Sequence, residues 1–339
     1  MRLGKHFDAE IHACRAEELA EELQDKESFA QAIFLRGRIV LDLQELSTAQ
    51  PLLEQAYGLM EGDPKQRVKV LTYLAHCLMR QKKLKAAHAL YELVLPETNL
   101  IPDAPDQSFL MALQGLGDTL QTQKLNMWAL MVYDEILWIQ NEMLDDQHPN
   151  QANVYQAIGK TYQAMERHED ALGSFANAMA IRTIVFGEYH LESFRLRLDT
   201  QHTLLLAKRY QDVVECSERW APAFKLHLGM GHRYTRLYLN NSAASFEKLG
   251  NWEKVREILY SLFTYFRNVE PSESPNNIVY QNDLGRALYA LGNLKEADEH
   301  VAAALEKKQT IYGKTHVSTK RTERLLQLIR KKQKGRKAL

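Results

Sequence analysis

The chain has 339 residues with 43 Lys plus Arg against 43 Asp plus Glu, so it has no net formal charge and no overall field drawing it to nucleic acid or membrane. Its hydrophobic fraction of 45% and charged fraction of 25% are ordinary for a folded chain and argue against disorder. Gly and Pro number 16 and 9, about half the usual share, which disfavours turn-rich β architectures and favours long helices.

Leu3 to Glu22 opens the chain with Ala9, Ala13 and Ala16 in helical phase. Arg2, Lys5, His6, Asp8 and Glu10 leave no apolar signal core there. No apolar run reaches the ~18 residues that span a bilayer. Cys14, Cys77 and Cys216 are scattered and contain no CxxC pair, which argues against a disulfide framework and a cysteine zinc site. The expectation is a cytoplasmic protein without membrane attachment.

A repeating unit begins at Gly37, with Val40, Ala49, Leu53 and Ala56. From Ala75 onward the period is 42 residues: Ala75, Gly117, Gly159, Ala243 and Gly285 share one register, with Gln201 in the remaining slot. Twelve residues after these anchors come Ala87, Ala129, Ala171, Val213, Val255 and Ala297. Four further on come Tyr91, Tyr133, Phe175, Ser217, Leu259 and Val301, and three further Val94, Ile136, Ala178, Trp220, Leu262 and Ala304. Offsets of three and four put side chains on one helix face, and a small mid-helix residue lets two backbones approach. Polar breaks such as Gln81-Lys82-Lys83 and Leu249-Gly250-Asn251 divide each unit into two antiparallel helices. One pair cannot bury its apolar face alone, so the pairs must stack.

The pattern predicts an all-α, right-handed superhelical solenoid spanning 1–339 as one domain. It comprises a half-repeat at 1–24, pairs at 28–62, 68–96, 108–146, 150–188, 192–230, 234–270 and 276–314, a capping helix at 316–332 and a basic tail at 333–339. That is about seven pairs between a half-pair and a cap. Leu95 to Gln107 and Asn268 to Asn277 read as proline-bearing loops. The aromatics in repeat phase read as packing, whereas Trp138 and Tyr265 fall outside it and are expected to be exposed.

Tyr162, Ala171, Phe175 and Ala178 hold aromatic and small positions that resemble the tetratricopeptide repeat. The usual period there is about 34. The 42-residue period resembles the kinesin-light-chain type, as do the corners Phe186-Gly187-Glu188-Tyr189-His190, Leu228-Gly229-Met230-Gly231-His232 and Tyr312-Gly313-Lys314-Thr315-His316, with His148-Pro149 completing the series. The 243–284 unit departs, with Pro271 and Ser274 at its corner.

No catalytic constellation stands out. Gly313-Lys314-Thr315 and Gly159-Lys160-Thr161 lack the upstream glycine of a phosphate loop, since Lys308 and Val154 occupy that position. The twelve histidines contain no HExxH, and the corner histidines read as one turn-bonding position repeated. The expectation is no enzyme activity, no cofactor and no metal.

The resemblance implies a concave groove built from the first helix of each pair and holding a peptide. Its candidate lining is Gln114, Asp118, Asn153, Gln156, Lys160, Arg195, Asp199, His202, Asn240, Asn241, Asn282 and Arg286. Leu239-Asn240-Asn241-Ser242-Ala243 is similar to the family's Leu-Asn-Asn-Leu-Ala, in which asparagine can pair with a peptide backbone. The positions after the anchors are His76, Asp118, Lys160, His202, Ala244 and Arg286, and they assemble no carboxylate clamp. Their mixed charge points to a ligand segment with both signs. The functional expectation is a non-catalytic scaffold for a protein or peptide partner. The alternative is a sensory or regulatory module of a larger signalling protein (a kinase, transcription regulator, nucleotide switch or cyclic-dinucleotide enzyme). The uncovered half-repeat, with Phe7 and Ile11, also suits self-association. The basic tail reads as a solvated helix end rather than a nucleic-acid contact.

Overall fold

The computed structural model describes residues 2–60, 64–98, 107–143 and 149–337. His148 and positions 99–106 of the expected loop lie outside the described residues. The described residues form sixteen α-helices and no strand. In chain order these are α1 (Arg2–Glu22), α2 (Lys26–Asp42), α3 (Leu46–Leu59), α4 (Pro64–Arg80), α5 (Leu84–Thr98), α6 (Gln107–Thr122), α7 (Asn126–Met143), α8 (Pro149–Ala164) and α9 (His168–Phe186). There follow α10 (Leu191–Leu206), α11 (Tyr210–Leu228), α12 (Arg233–Lys248), α13 (Trp252–Val269), α14 (Pro275–Leu291), α15 (Leu294–Tyr312) and α16 (Val317–Lys337). They form a repeat solenoid of helix pairs. The contacts divide the chain into two compact units, Met1–Ile181 and Arg182–Leu339.

In the first unit each helix packs on the next from α1 to α8, and α2, α4, α6 and α8 also touch in series. The first helices therefore form a continuous layer. In the second unit α10 packs on α12 and α14 on α16 in the same manner. The core is the predicted stripe. Ala87, Ala129, Ala171, Val213, Val255 and Ala297 are all buried, as are Tyr91, Tyr133, Phe175, Leu259 and Val301.

The anchors explain the period. A Cβ placed on Gly117 or Gly159 would overlap the ring of Tyr133 or Phe175 sixteen residues on, and one on Gly285 would lie 2.5 Å from a Val301 methyl. The glycine is thus the socket for the side chain of its own second helix. The 192–230 unit inverts the sizes. Gln201 replaces the small anchor, Ser217 replaces the large partner, and Gln201 Nε2 donates to the hydroxyls of Ser217 and Ser242 at 3.1 Å each. Ser217 and Ser242 Oγ lie 2.7 Å apart. This polar node fills the same inter-helix space with hydrogen bonds rather than apolar contact.

The turns follow the period too. Lys82, Lys124, Glu166 and Lys208 have positive φ at the break between helices, and Gly250 and Gly292 take that place in the later units. His190, His232 and His316 each accept a backbone N–H through Nδ1, from Glu192 at 3.3 Å, Tyr234 at 3.1 Å and Ser318 at 3.2 Å. They are N-caps, and their ring nitrogens complete helix starts. The divergent corner caps with Ser274, whose Oγ accepts from Asn277 N at 3.2 Å. The helices run through half of the expected 268–277 loop, which is reduced to the stretch between Val269 and Pro275. The expected basic tail remains helical through Lys337. Trp138 is 62% exposed. Tyr265 is only half-exposed, which corrects its expected exposure: its hydroxyl fills the space a Gly231 side chain would take.

Candidate binding surface on the first helices

The first-helix layer of unit 1 carries Gln114, Asp118, Asn153, Gln156 and Lys160 on α6 and α8. Helical spacing brings Gln114 and Asp118 together, and Gln114 Nε2 donates to Asp118 Oδ1 at 3.0 Å. Tyr133 from α7 donates its hydroxyl to the same oxygen at 2.7 Å. Asp118 is half-buried without an ion pair among the described residues, and burial raises its pKa against the pull of those two donors, His76 and Lys160. His76, on α4, is driven the other way: burial first, then Arg80, lowers its pKa and favours the neutral ring.

Two cavities open here. One of about 220 Å³ lies between α4 and α6 and includes Thr72, His76, Met79, Met111, Gln114 and Asp118. The other, about 190 Å³, lies between α6 and α8 and includes Met111, Gln114, Asn150 and Asn153. They share Met111 and Gln114, so the recesses adjoin across α6. Asn153 is exposed, whereas Gln156 is buried.

The first-helix layer of unit 2 holds Arg195, Asp199, His202, Asn240, Asn241, Asn282 and Arg286. Several are tied to the neighbouring helix about one period away. Arg286 Nη1 meets Glu247 Oε1 at 2.5 Å, and that hydrogen bond raises the Arg286 pKa. Asn240 Nδ2 donates to Tyr280 OH at 3.4 Å, and Arg236 Nη1 to Asn276 Oδ1 at 3.0 Å. Asn282 Oδ1 accepts from Thr322 at 2.9 Å while its Nδ2 donates to Asp283 at 3.2 Å. Burial raises the Asp283 pKa, with Arg286 opposing. Arg195 approaches Glu192 at 3.6 Å. His202 is exposed and Asn241 half-buried.

Two larger cavities lie elsewhere. One of about 670 Å³ adjoins Tyr260, Arg256 and His300 on α13 and α15, and one of about 460 Å³ adjoins Trp128 and Met131 on α7. Among the described residues no three His, Cys, Asp or Glu side chains gather as a metal site. No described helix is long and apolar enough to cross a membrane.

A family model described as a tetratricopeptide repeat matches residues 108–184, and a second one matches residues 278–318. These two segments are tetratricopeptide repeats. The matched segments contain the Gly117–Tyr133, Gly159–Phe175 and Gly285–Val301 contacts that seat one helix on another. Solved structures agree on the fold. The chain is similar to BtubC (BKLC) from P. vanneervenii, at 18% identity and TM-score 0.56, covering 67% of this chain and 93% of that one. It is similar to a signal transduction ATPase with numerous domains bearing a tetratricopeptide repeat sensor, from Pyrococcus horikoshii, at 15% identity and TM-score 0.67, covering 93% of this chain and 46% of that one. It is also similar to a Rap protein complexed with competence and sporulation factor, at 15% identity and TM-score 0.50, covering 91% of this chain and 75% of that one. No curated protein matches the sequence.

Several contributors in this repeat protein carried no signal in the 42-residue register. Met79, Met111 and Tyr73 line the α4–α6 recess from positions that helix periodicity marks only as surface. The Gln201–Ser217–Ser242 node did have a signal. Gln201 and Ser217 break the small-then-large pattern together, sixteen residues apart.

Proposed function

We propose that this tetratricopeptide repeat protein is a non-catalytic scaffold that binds an extended peptide or protein segment along its first-helix faces. The observation that carries this reading is the pair of adjoining recesses across α6, lined by amide and carboxylate groups with thioether walls. Amides offer both donor and acceptor to a peptide backbone, and spaced recesses suit alternate side chains of an extended chain. The Rap protein, solved as a complex, adds support for partner binding on such a fold. The test is selection of phage-displayed random dodecapeptides against the purified chain, followed by affinity measurement with Gln114→Ala/Asn153→Ala. Recovered peptides should bind the double variant at least several-fold more weakly. Equal binding would reject the assignment to these helices.

A second reading is a sensory module within a larger signalling protein. It is favoured by the Pyrococcus horikoshii protein, in which the matched array is 46% of the chain, and by Ile11 and Leu19 on α1, exposed at 53% and 42%. An apolar face at the end of a repeat array calls for a cap or a partner. Light scattering and an immunoblot of the native host separate the options. A dimer favours self-association through α1, and a band well above 39.1 kDa favours the larger protein.

A further inference from the structure

Asp118 carries a charge that the packing of the repeat does not use. Both of its hydrogen bonds, from Gln114 and Tyr133, reach Oδ1. Oδ2 has no hydrogen-bond donor among the described residues. An asparagine would accept the same two bonds. Retaining an anion instead costs part of its hydration, because Asp118 is half-buried without a partner charge. Burial lowers the His76 pKa and favours its neutral ring, and no cation forms an ion pair with Asp118 among the described residues; Lys160 on α8 acts on it only at longer range. The carboxylate faces the 220 Å³ recess, whose walls include the Tyr73 ring and the Met79 and Met111 side chains. An aliphatic stem packs well on thioethers, and an aromatic ring attracts a cation.

We propose that Asp118 and this recess form a subsite for the cationic side chain, ammonium or guanidinium, of a basic residue in the bound segment. The inference rests on the peptide-binding reading above and adds the ligand's chemistry to it. The stem of the basic residue lies between Met79 and Met111, and its head reaches Asp118 Oδ2. Binding supplies the missing counter-charge and so opposes the desolvation that raises the Asp118 pKa.

The test needs no peptide. Methyl-¹³C methionine spectra of the full chain are titrated with the N-acetyl methylamides of lysine, arginine and norleucine. The lysine or arginine compound should move the Met79 and Met111 resonances saturably, and the tighter of the two identifies the head group. Norleucine, with a similar stem and no charge, should leave them in place. Asp118→Asn should weaken the response by roughly tenfold or more, as expected for loss of a charge-assisted bond. Gln114→Arg, which sets the protein's own cation beside Asp118, should abolish it. Equal shifts from norleucine, undiminished binding to Asp118→Asn, or no saturable shift would overturn the subsite. Dodecapeptides that are selected but indifferent to Asp118→Asn would also overturn it while leaving the peptide reading standing. A saturable lysine response from a chain that selects no peptide would uphold the subsite and count against the peptide reading alone.

Discussion

The two units treat the polar groups on their first helices differently. In unit 2 those groups bond one another across the helix seams: Arg286 to Glu247, Arg236 to Asn276, and Thr322 to Asn282. The partners lie about one period apart in sequence, so each bond fastens one repeat to the next. In unit 1 the corresponding face has Gln121 Nε2 on Thr161 Oγ1 at 2.7 Å, but it leaves Asp118 beside an open recess without an ion pair among the described residues. A face whose Arg286, Arg236 and Asn282 already bond neighbouring repeats is a structural seam. A face holding an uncompensated charge next to empty space has chemistry left for a ligand.

The inverted anchor gives the largest test of this contrast. Gly159→Val in unit 1 should drive a side chain into the Phe175 ring and destabilise by about 3 kcal/mol, read by thermal or denaturant unfolding. In unit 2, Ser217→Phe should cost on the order of 1–3 kcal/mol by overpacking against Gln201. Gln201→Gly combined with Ser217→Phe rebuilds the ordinary socket. The double variant should be more stable than the sum of the single effects by about 1 kcal/mol. Strict additivity would mean that the two residues do not share one site.

Charge comes next. Asp118→Asn should stabilise unit 1 at neutral pH by up to about 1 kcal/mol, since it removes a half-buried anion without a partner charge and keeps both hydrogen bonds. The pH dependence follows from the raised pKa of Asp118 in the folded chain. A carboxylate that binds its proton more tightly when folded favours folding below its unfolded pKa and loses that contribution as pH rises through the folded value. The advantage of the variant should therefore be greatest at neutral pH, fade as pH falls through the raised folded pKa and be gone by about pH 4. Glu247→Gln in unit 2 should act in the opposite direction, destabilising by less than about 1 kcal/mol because the pair with Arg286 is only partly buried. If both substitutions destabilise, the two faces do not differ as described.

The smallest effect concerns the breaks between helices. Unit 1 holds Lys82, Lys124 and Glu166 at positive φ, where unit 2 has Gly250 and Gly292 after Lys208. Lys124→Gly should stabilise by about 0.5–1 kcal/mol, and Gly250→Lys should destabilise by a similar amount. Matched melting curves would check both signs.

The repeat was legible because packing at each seam uses a pair fixed in sequence, an anchor and the residue sixteen positions on. Phe175 must meet Gly159 wherever the second helix folds back, so phase alone exposes the contact. The histidine N-caps were legible for the same reason, since a turn bonds residues adjacent in the chain. The candidate surface was only half legible. Helix phase put Gln114 and Asp118 on one face, but it could not say that Tyr133 would bond that carboxylate, or that Arg286 and Asn240 would turn to neighbouring repeats.

The amino-acid order alone thus fixed the helices, their pairing and the depth of each stripe, because these depend on short-range geometry repeated every 42 residues. Tertiary structure decided which polar side chains face a partner helix and which face a recess. That choice depends on distances between residues some 40 positions apart, and on how much water each group loses when the helices close over it.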